Sequence, residues 1–534
     1  MAPRLALLAA SLAACIAAAP SALAQKQGGT LRVAHRDNPP SASILEESTI
    51  STVQPFMPVF NNLVLFDPHE RINSTDHIVP DLADSWSWND DKTRLTFKLH
   101  HGVKWHDGEP FTARDVKCTF DALAGLKDDN KIRILRKAPR GVWYTHLKEV
   151  TTNGDDEVTF HLDKSEPSFL SIVAAGYSPI YSCHVPDNVM RSKPVGTGPF
   201  KVVEFKRNES IKLVRNPDYW KKNLPYLDAI EWKIVPNRST RLLAFASGEF
   251  DMTITDDITF PLLKDVKSQK PDAVCEDRPT NVTSNLLINR DSPPFDNPKI
   301  RLAMMLTLDH EAFNRILSEG HDLDGGPMLP PPAGVWGMPK DMLETLPGHR
   351  PDVEKSRAEA RNIMEGLGYG PDKPLKAKVS TRNIALYRDP AVILIDQLKQ
   401  IHIDAELEPI DTTIWFTKVT RKEYQVGMNL TGVGVDDPDV NFYENFYSSS
   451  PRNYSGYRNP EIDKLIDQQS AELDQEKRRR LVWDIEKRLV EDAARPVISH
   501  NVANTCWDPR VKGIVLQHNS IYNDWRFDEV WLDK

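Results

Sequence analysis

Four polar residues, His35-Arg36-Asp37-Asn38, follow the strand-like run Thr30 to Ala34 and precede Pro39-Pro40, which forces the chain out of any sheet. Ligands of α/β sheets meet the carboxyl ends of strands, so these side chains are cleft candidates; the alternative is a solvated turn. Residue patterns that make or break bonds are absent. The chain contains no G-x-S-x-G, H-E-x-x-H or Walker A motif, and Gly366, Gly368 and Gly370 sit at a helix end rather than in a dinucleotide turn. Pro194 to Phe200, PVGTGPF, has the glycines of a phosphate cradle, but no Lys-Ser/Thr follows and the chain runs on into a strand. His100, His101 and His106 cluster in sequence, yet strand neighbours face opposite ways, so His100 and His101 do not share an ion. These patterns point to neither catalysis nor a cofactor nor a metal. A secreted hydrolase with a dispersed site is the alternative of another class, and turnover of a tight ligand would reveal it.

The elements that must position such groups follow from periodicity. Leu95, Phe97 and Leu99 alternate with Thr96, Lys98 and His100, predicting a strand with one buried face. Val103 to Trp105 reads as a second short strand before the Asp107-Gly108 turn, and Thr112 with Asp115 forms a capping box for a helix through Leu123. Strands are also predicted at Glu157–Leu162, Ile230–Val235, Phe250–Ile254 and Ser284–Asn289. Ser239 is read as the cap of a helix with Leu242, Leu243 and Ala246 inward. After Pro298 the chain alternates helices with strands at Leu375–Thr381, Asp404–Leu407 and Tyr424–Leu430, which predicts a second α/β lobe. Arg382 and Asn383 leave one of those strands, and Thr431 to Asp439 leaves another.

The residues filling this frame resemble one family. Pro80, Leu82, Ala83, Ser85 and Trp86, then Gly102, Val103, His106, Asp107, Gly108, Pro110, Thr112, Ala113, Asp115 and Val116, are similar to the pattern of the bacterial extracellular solute-binding proteins of family 5, with His100 in place of an arginine. PVGTGPF at 194–200, Asn216-Pro217-Asp218-Tyr219-Trp220 and Pro293-Pro294-Phe295-Asp296 extend the likeness along nearly the whole chain. The resemblance implies an α/β, two-lobed periplasmic binding-protein fold of type II with an extra N-terminal subdomain, mixed sheets and a ligand cleft between the lobes. It divides the chain into a signal peptide (1–24), lobe I (25–285, with a subdomain at about 60–193), lobe II (286–499) and a return to lobe I (500–534). It implies a monomeric binding component of an ABC importer that closes on a small solute or short peptide and presents it to a membrane permease.

Peptide-holding members carry an aspartate for the ligand's α-ammonium in the segment that here reads Thr431-Gly432-Val433-Gly434-Val435-Asp436-Asp437-Pro438. Alignment on Asp437-Pro438 puts Gly434 at that aspartate and Thr431 at a tryptophan. A buried ammonium without a counter-charge is costly, so either Asp436 substitutes from two residues on, or the ligand lacks a free amino terminus. The alternative ligands are an opine-like conjugate, a sugar acid or a nickel chelate. Arg382, beside Asn383, lies near the family's arginine for a ligand carboxylate, a role its planar fork suits. Together with His35 and Arg36, the expected ligand contacts are Arg382, Asn383, Trp415, Thr431, Gly432, Val433, Gly434, Asp436 and Tyr454, with Tyr443 and Phe446 as further candidate walls.

Arg4, the apolar run Leu5 to Ala19 and the exit Ala22-Leu23-Ala24 form a secretory leader, placing the mature chain in the periplasm. Leu12-Ala13-Ala14-Cys15 is a competing lipoprotein box. Four later cysteines, Cys118, Cys183, Cys275 and Cys506, allow three pairings in an oxidising compartment, or remain as buried thiols. A formal net charge of −9 without a basic block gives no reason to expect nucleic-acid binding.

Overall fold

The computed structural model describes residues 25–126 and 135–534. The expected leader, with Cys15, lies outside them. Two separate mixed sheets hold the chain. In the first, Thr30–His35 pairs in parallel with Ala229–Ile234, followed by antiparallel Ser210–Arg215 and Phe200–Lys206. Leu31, Val33, Ile230 and Trp232 are buried, as period-2 alternation requires.

An appended antiparallel sheet is ordered Ala83–Trp88, Arg94–Leu99, Glu157–Leu162, Leu147–Asn153. Leu95, Phe97 and Leu99 are buried as predicted, beneath the helix Ala113–Ala124. The expected capping box forms, with the Thr112 backbone N–H donating to the Asp115 carboxylate at 3.0 Å. Val103 to Trp105 is not a strand. The turn closes at once, with Gly108 N–H on the Trp105 carbonyl and Trp105 N–H on the Glu109 carbonyl, leaving a single bridge between Lys104 and Pro110.

The second sheet is ordered Ile403–Ile410, Leu375–Arg382, Val426–Gly432, Val274–Ile288, Val497–Trp507. Its first three strands are parallel and its last two antiparallel. Helices Pro298–Leu306 and Ala385–Lys399 cover it, burying Ala303, Met304, Leu394 and Leu398 against Val379 and Val426. The strands Val274–Ile288 and Val497–Trp507 carry the chain between the lobes, and the first is far longer than the expected Ser284–Asn289. Pro279 hid its early part, but a register shift between Pro279 and Thr283 accommodates that residue. Met252 bridges both Val33 and Trp507, which is all that forms of the predicted strand Phe250–Ile254. Disulfides join Cys275 to Cys506 across the paired crossing strands and Cys118 to Cys183 within the appended subdomain.

The helix Arg238–Ala246 is capped by Asn237 rather than Ser239, and Leu243 points outward, 58% exposed. Arg241 takes the inward place because its guanidinium holds the buried Asp257 carboxylate bidentately, at 2.6 and 2.5 Å. Among the described residues no helix is long and apolar enough to cross a membrane.

Candidate functional site

The carboxyl ends of two strands, one from each lobe, face each other. Thr30–His35 ends at His35, and the turn that follows aims the Asp37 carboxylate across the cleft. Leu375–Arg382 ends on Arg382, whose Nη2 donates to Asp37 Oδ2 at 2.5 Å. Every side of that guanidinium is engaged: Nε donates to Thr412 at 3.0 Å, Nη1 to the Tyr387 hydroxyl at 2.7 Å, and Nη2 also reaches Ser51 at 3.4 Å. Ser51 in turn donates to the other Asp37 oxygen at 2.5 Å. Burial disfavours the Asp37 charge, but Arg382, His35 and Arg36 outweigh it and hold its carboxyl below the ordinary carboxylate value. A fully satisfied ion pair therefore clasps the two lobes.

Beside the clasp lies a narrow cavity between the lobes, of about 30 Å³. Arg36, Asp256 and Tyr522 line it from the first lobe, and Asn429, Arg452 and Tyr454 from the second. Ser48, Phe416, Arg452 and Tyr454 are shared with a neighbouring, larger space of about 200 Å³ bordered by Lys137 and Arg421. The charged groups of the narrow cavity are mostly basic, Arg36, Arg382 and Arg452 against Asp256. Glu444 neutralises part of that charge, lying 2.7 Å from Arg452 Nε and 3.6 Å from Arg140 Nε. Arg495, behind it, binds Asn285, Asn445 and Thr431, and burial together with Arg452 lowers its pKa to about 10. Burial raises the Asp256 carboxyl, against the pull of Arg36 and Arg278.

Of the expected contacts, Arg36, Arg382, Gly432 and Tyr454 reach this space. His35 is buried behind it, with its Nδ1 2.5 Å from the Asp37 carbonyl and its ring edge-on to Trp232. Desolvation lowers its pKa. Asn383 turns outward and accepts from Arg388. Trp415 is core, packed with Leu287, Val419 and Tyr424, and its neighbour Phe416 lines the cavity instead. Thr431 accepts from Arg495, Asn285 and Asn429 beneath the surface, and Val433 belongs to the apolar core. Tyr443 and Phe446 are buried in a separate helical cluster.

Gly432 and Gly434 have distinct reasons to be glycine. A Cβ on Gly432 would collide with the Tyr522 hydroxyl, and one on Gly434 would sit 3.0 Å from the Trp143 ring. Asp436 is not brought to the cavity. Its carboxylate accepts the Val335 N–H at 3.2 Å and its carbonyl accepts Trp336 Nε1–H at 3.1 Å, both from the loop before Pro339. Burial pushes its pKa to about 7, another reason it is unsuited as a fixed counter-charge. Asp437, next to it, caps the helix Pro438–Asn445 and takes both Nη groups of Arg478, at 2.9 and 2.7 Å. Sequence reasoning missed Asp256, Asn429, Arg452 and Tyr522, which lie on loops or mid-strand and carry no local signal.

A sequence profile of the bacterial extracellular solute-binding proteins, family 5 Middle, matches residues 77–454. The heme-binding protein A of Haemophilus influenzae is 28% identical, over 86% of this chain and 84% of its own length. A probable di/tripeptide-binding protein 5 of Pseudomonas aeruginosa is 27% identical over 96% of both chains. The oligopeptide-binding protein AppA of Bacillus subtilis, solved with a nonapeptide, superposes with a TM-score of 0.83, covering 96% of this chain and all of that one at 22% identity.

Proposed function

Because the chain belongs to the bacterial extracellular solute-binding proteins of family 5, we propose that it is the periplasmic receptor of an ABC importer, capturing a peptide or peptide-like solute by closure of its two lobes and delivering it to a membrane permease. The observation that carries this reading is the Arg382–Asp37 pair, which joins the lobes at the mouth of a cavity lined from both sides. A solute touching both walls adds free energy only to the closed form, so binding shifts a hinge equilibrium. The peptide assignment is supported by the di/tripeptide-binding relative.

One observation favours a solute lacking a free α-ammonium. Gly434 offers no carboxylate, Trp143 fills the space beside it, and Asp436 faces the other way. Arg36 and Arg452 leave the cavity suited to an anionic group, and Asp256 is the acid left to meet a cation. The test is a thermal-shift screen of ligand-stripped protein against free peptides, N-acetylated peptides, opine-like acids and nickel chelates. A ligand at 100 times its dissociation constant adds roughly 2.7 kcal/mol. Stabilisation by free but not acetylated peptides supports the peptide reading with Asp256 as counter-charge. Stabilisation only by compounds without the ammonium supports the second. No stabilisation by any of them overturns both.

A further inference from the structure

Away from the cleft, three residues from separate stretches of the second lobe converge: His310 at the start of the helix His310–Ser318, Asp324 in the following loop, and His349 before the helix Val353–Gly366. Each can offer one ligand atom such that all three lie within 4.8 Å of one another. Asp324 Oδ1 is 3.5 Å from His349 Nδ1 and 3.7 Å from His310 Nδ1, and the two imidazole rings are 4.6 Å apart. Ligands on a tetrahedral zinc ion, each about 2.1 Å from it, are roughly 3.4 Å from one another, so ligand atoms that lie within 4.8 Å must draw together by up to about an ångström to hold the ion.

The hydrogen bonding fits a metal better than it fits a closed polar cluster. His310 Nδ1 is 2.8 Å from the Ile498 carbonyl and donates its proton there, leaving Nε2 as the unprotonated nitrogen. That Nε2 is buried with no hydrogen-bond partner, and the buried Nδ1 of His349 faces only the Asp324 carboxylate, 3.5 Å away. A ring whose far nitrogen is fixed by a backbone carbonyl is the usual state of a ligating histidine. Buried ring nitrogens left without partners are otherwise uncommon and costly. Asp324 remains 36% exposed, so the group opens to solvent on one side, which supplies an entry path and room for water on the ion.

We infer that His310, Asp324 and His349 form a site for a divalent transition metal such as zinc, with solvent completing the coordination. Two imidazoles and a carboxylate select a borderline metal over magnesium or calcium, which prefer all-oxygen shells. The site would brace the return strand Val497–Trp507, since His310 bonds the Ile498 carbonyl and Leu323, adjacent to Asp324, pairs with His500 on the same strand.

The experiment uses tag-free protein stripped with chelator and titrated calorimetrically with zinc chloride, with magnesium chloride as control. One equivalent of zinc should bind and raise the melting temperature, and magnesium should do neither. His310→Ala and His349→Ala should each weaken zinc binding by about 100-fold, and Asp324→Asn by about tenfold or more. Arg382→Ala should leave zinc binding unchanged, which separates this site from the solute cleft. Cobalt(II) gives an independent readout: visible d–d bands in the wild type that vanish in His349→Ala, read on protein whose metal-free melting temperature confirms folding. Absence of saturable zinc binding, or binding that survives both histidine substitutions, overturns the inference.

Discussion

Replacing Asp37 by asparagine isolates the clasp between the lobes. In the closed chain Arg382 is only 2% exposed, and its shortest charged contact is the 2.5 Å bond to Asp37. Asparagine keeps the shape and removes the charge, so closure now buries a guanidinium with only neutral partners, Tyr387, Thr412 and Ser51. Removing one member of a buried pair costs about 3–5 kcal/mol. In the open form water solvates Arg382, so that cost falls on closure and weakens solute binding by roughly 100- to 5,000-fold. Calorimetric titration with the tightest solute from the thermal screen measures it. In an Arg382→Gln background Asp37 is the stranded charge, so there the same substitution should recover affinity rather than lose it, and the double-mutant cycle returns the coupling. The pH dependence has a fixed sign. A carboxyl whose pKa is depressed on closure contributes fully above its ordinary value of 3.8 and loses that contribution as pH falls through the depressed value. Affinity carried by this pair is therefore flat between pH 5 and 8. If Asp37→Asn instead tightens binding of anionic solutes, Arg382 is a ligand anchor that Asp37 competes for, and the clasp is refuted.

Gly432→Ala places a methyl against the Tyr522 hydroxyl between the lobes and should weaken solute binding by roughly 5- to 150-fold, from about 1–3 kcal/mol of overpacking, while the melting temperature of unliganded protein changes little. A large loss of unliganded stability would place that contact in the folding core instead. Glu166 is buried near Asp437 and Asp439, and burial first, then Asp439, raises its pKa well above 4.5. A carboxyl with a raised folded pKa gives its full stability below the unfolded value and loses it as pH rises, so Glu166→Gln should raise the melting temperature at pH 8 more than at pH 5; an equal shift at both would exclude this titration. The Cys118–Cys183 bond spans 65 residues, and its loss should cost about 4 kcal/mol by the loop-entropy estimate. Melting of Cys118→Ala/Cys183→Ala against the wild type checks this, and an unchanged midpoint would show that the bond constrains nothing.

What the sequence disclosed and what it hid divide along one physical line. Local periodicity and capping are written within a few residues of the elements they form, so the strand at Leu95 to Leu99, the Thr112–Asp115 cap and the βα alternation after Pro298 could all be read directly. Failures came where a distant partner overrode the local pattern. Leu243 was read as inward because it is apolar, but Arg241 has Asp257 to meet and turns the helix by its own burial. Asp436 stands close in sequence to Asp437-Pro438, yet its carboxylate is turned by Val335 and its carbonyl held by Trp336, a hundred residues earlier in the chain. Arg382 was found from its place at a strand end, and Asp37 as one of four polar residues at another, but nothing local says that residues 345 positions apart bond to each other. The same reasoning explains why the sequence draws attention to His100, His101 and His106 and not to His310, Asp324 and His349. The former cluster in sequence and then pair separately, His100 with Asp84 and His101 with Asp156, whereas the latter meet only because a helix start, a loop and a turn are packed beside the return strand. In a two-lobed receptor the chemistry is made by strand ends and loops brought together by crossings, so chain spacing is a poor guide to its site and strand-end position a better one.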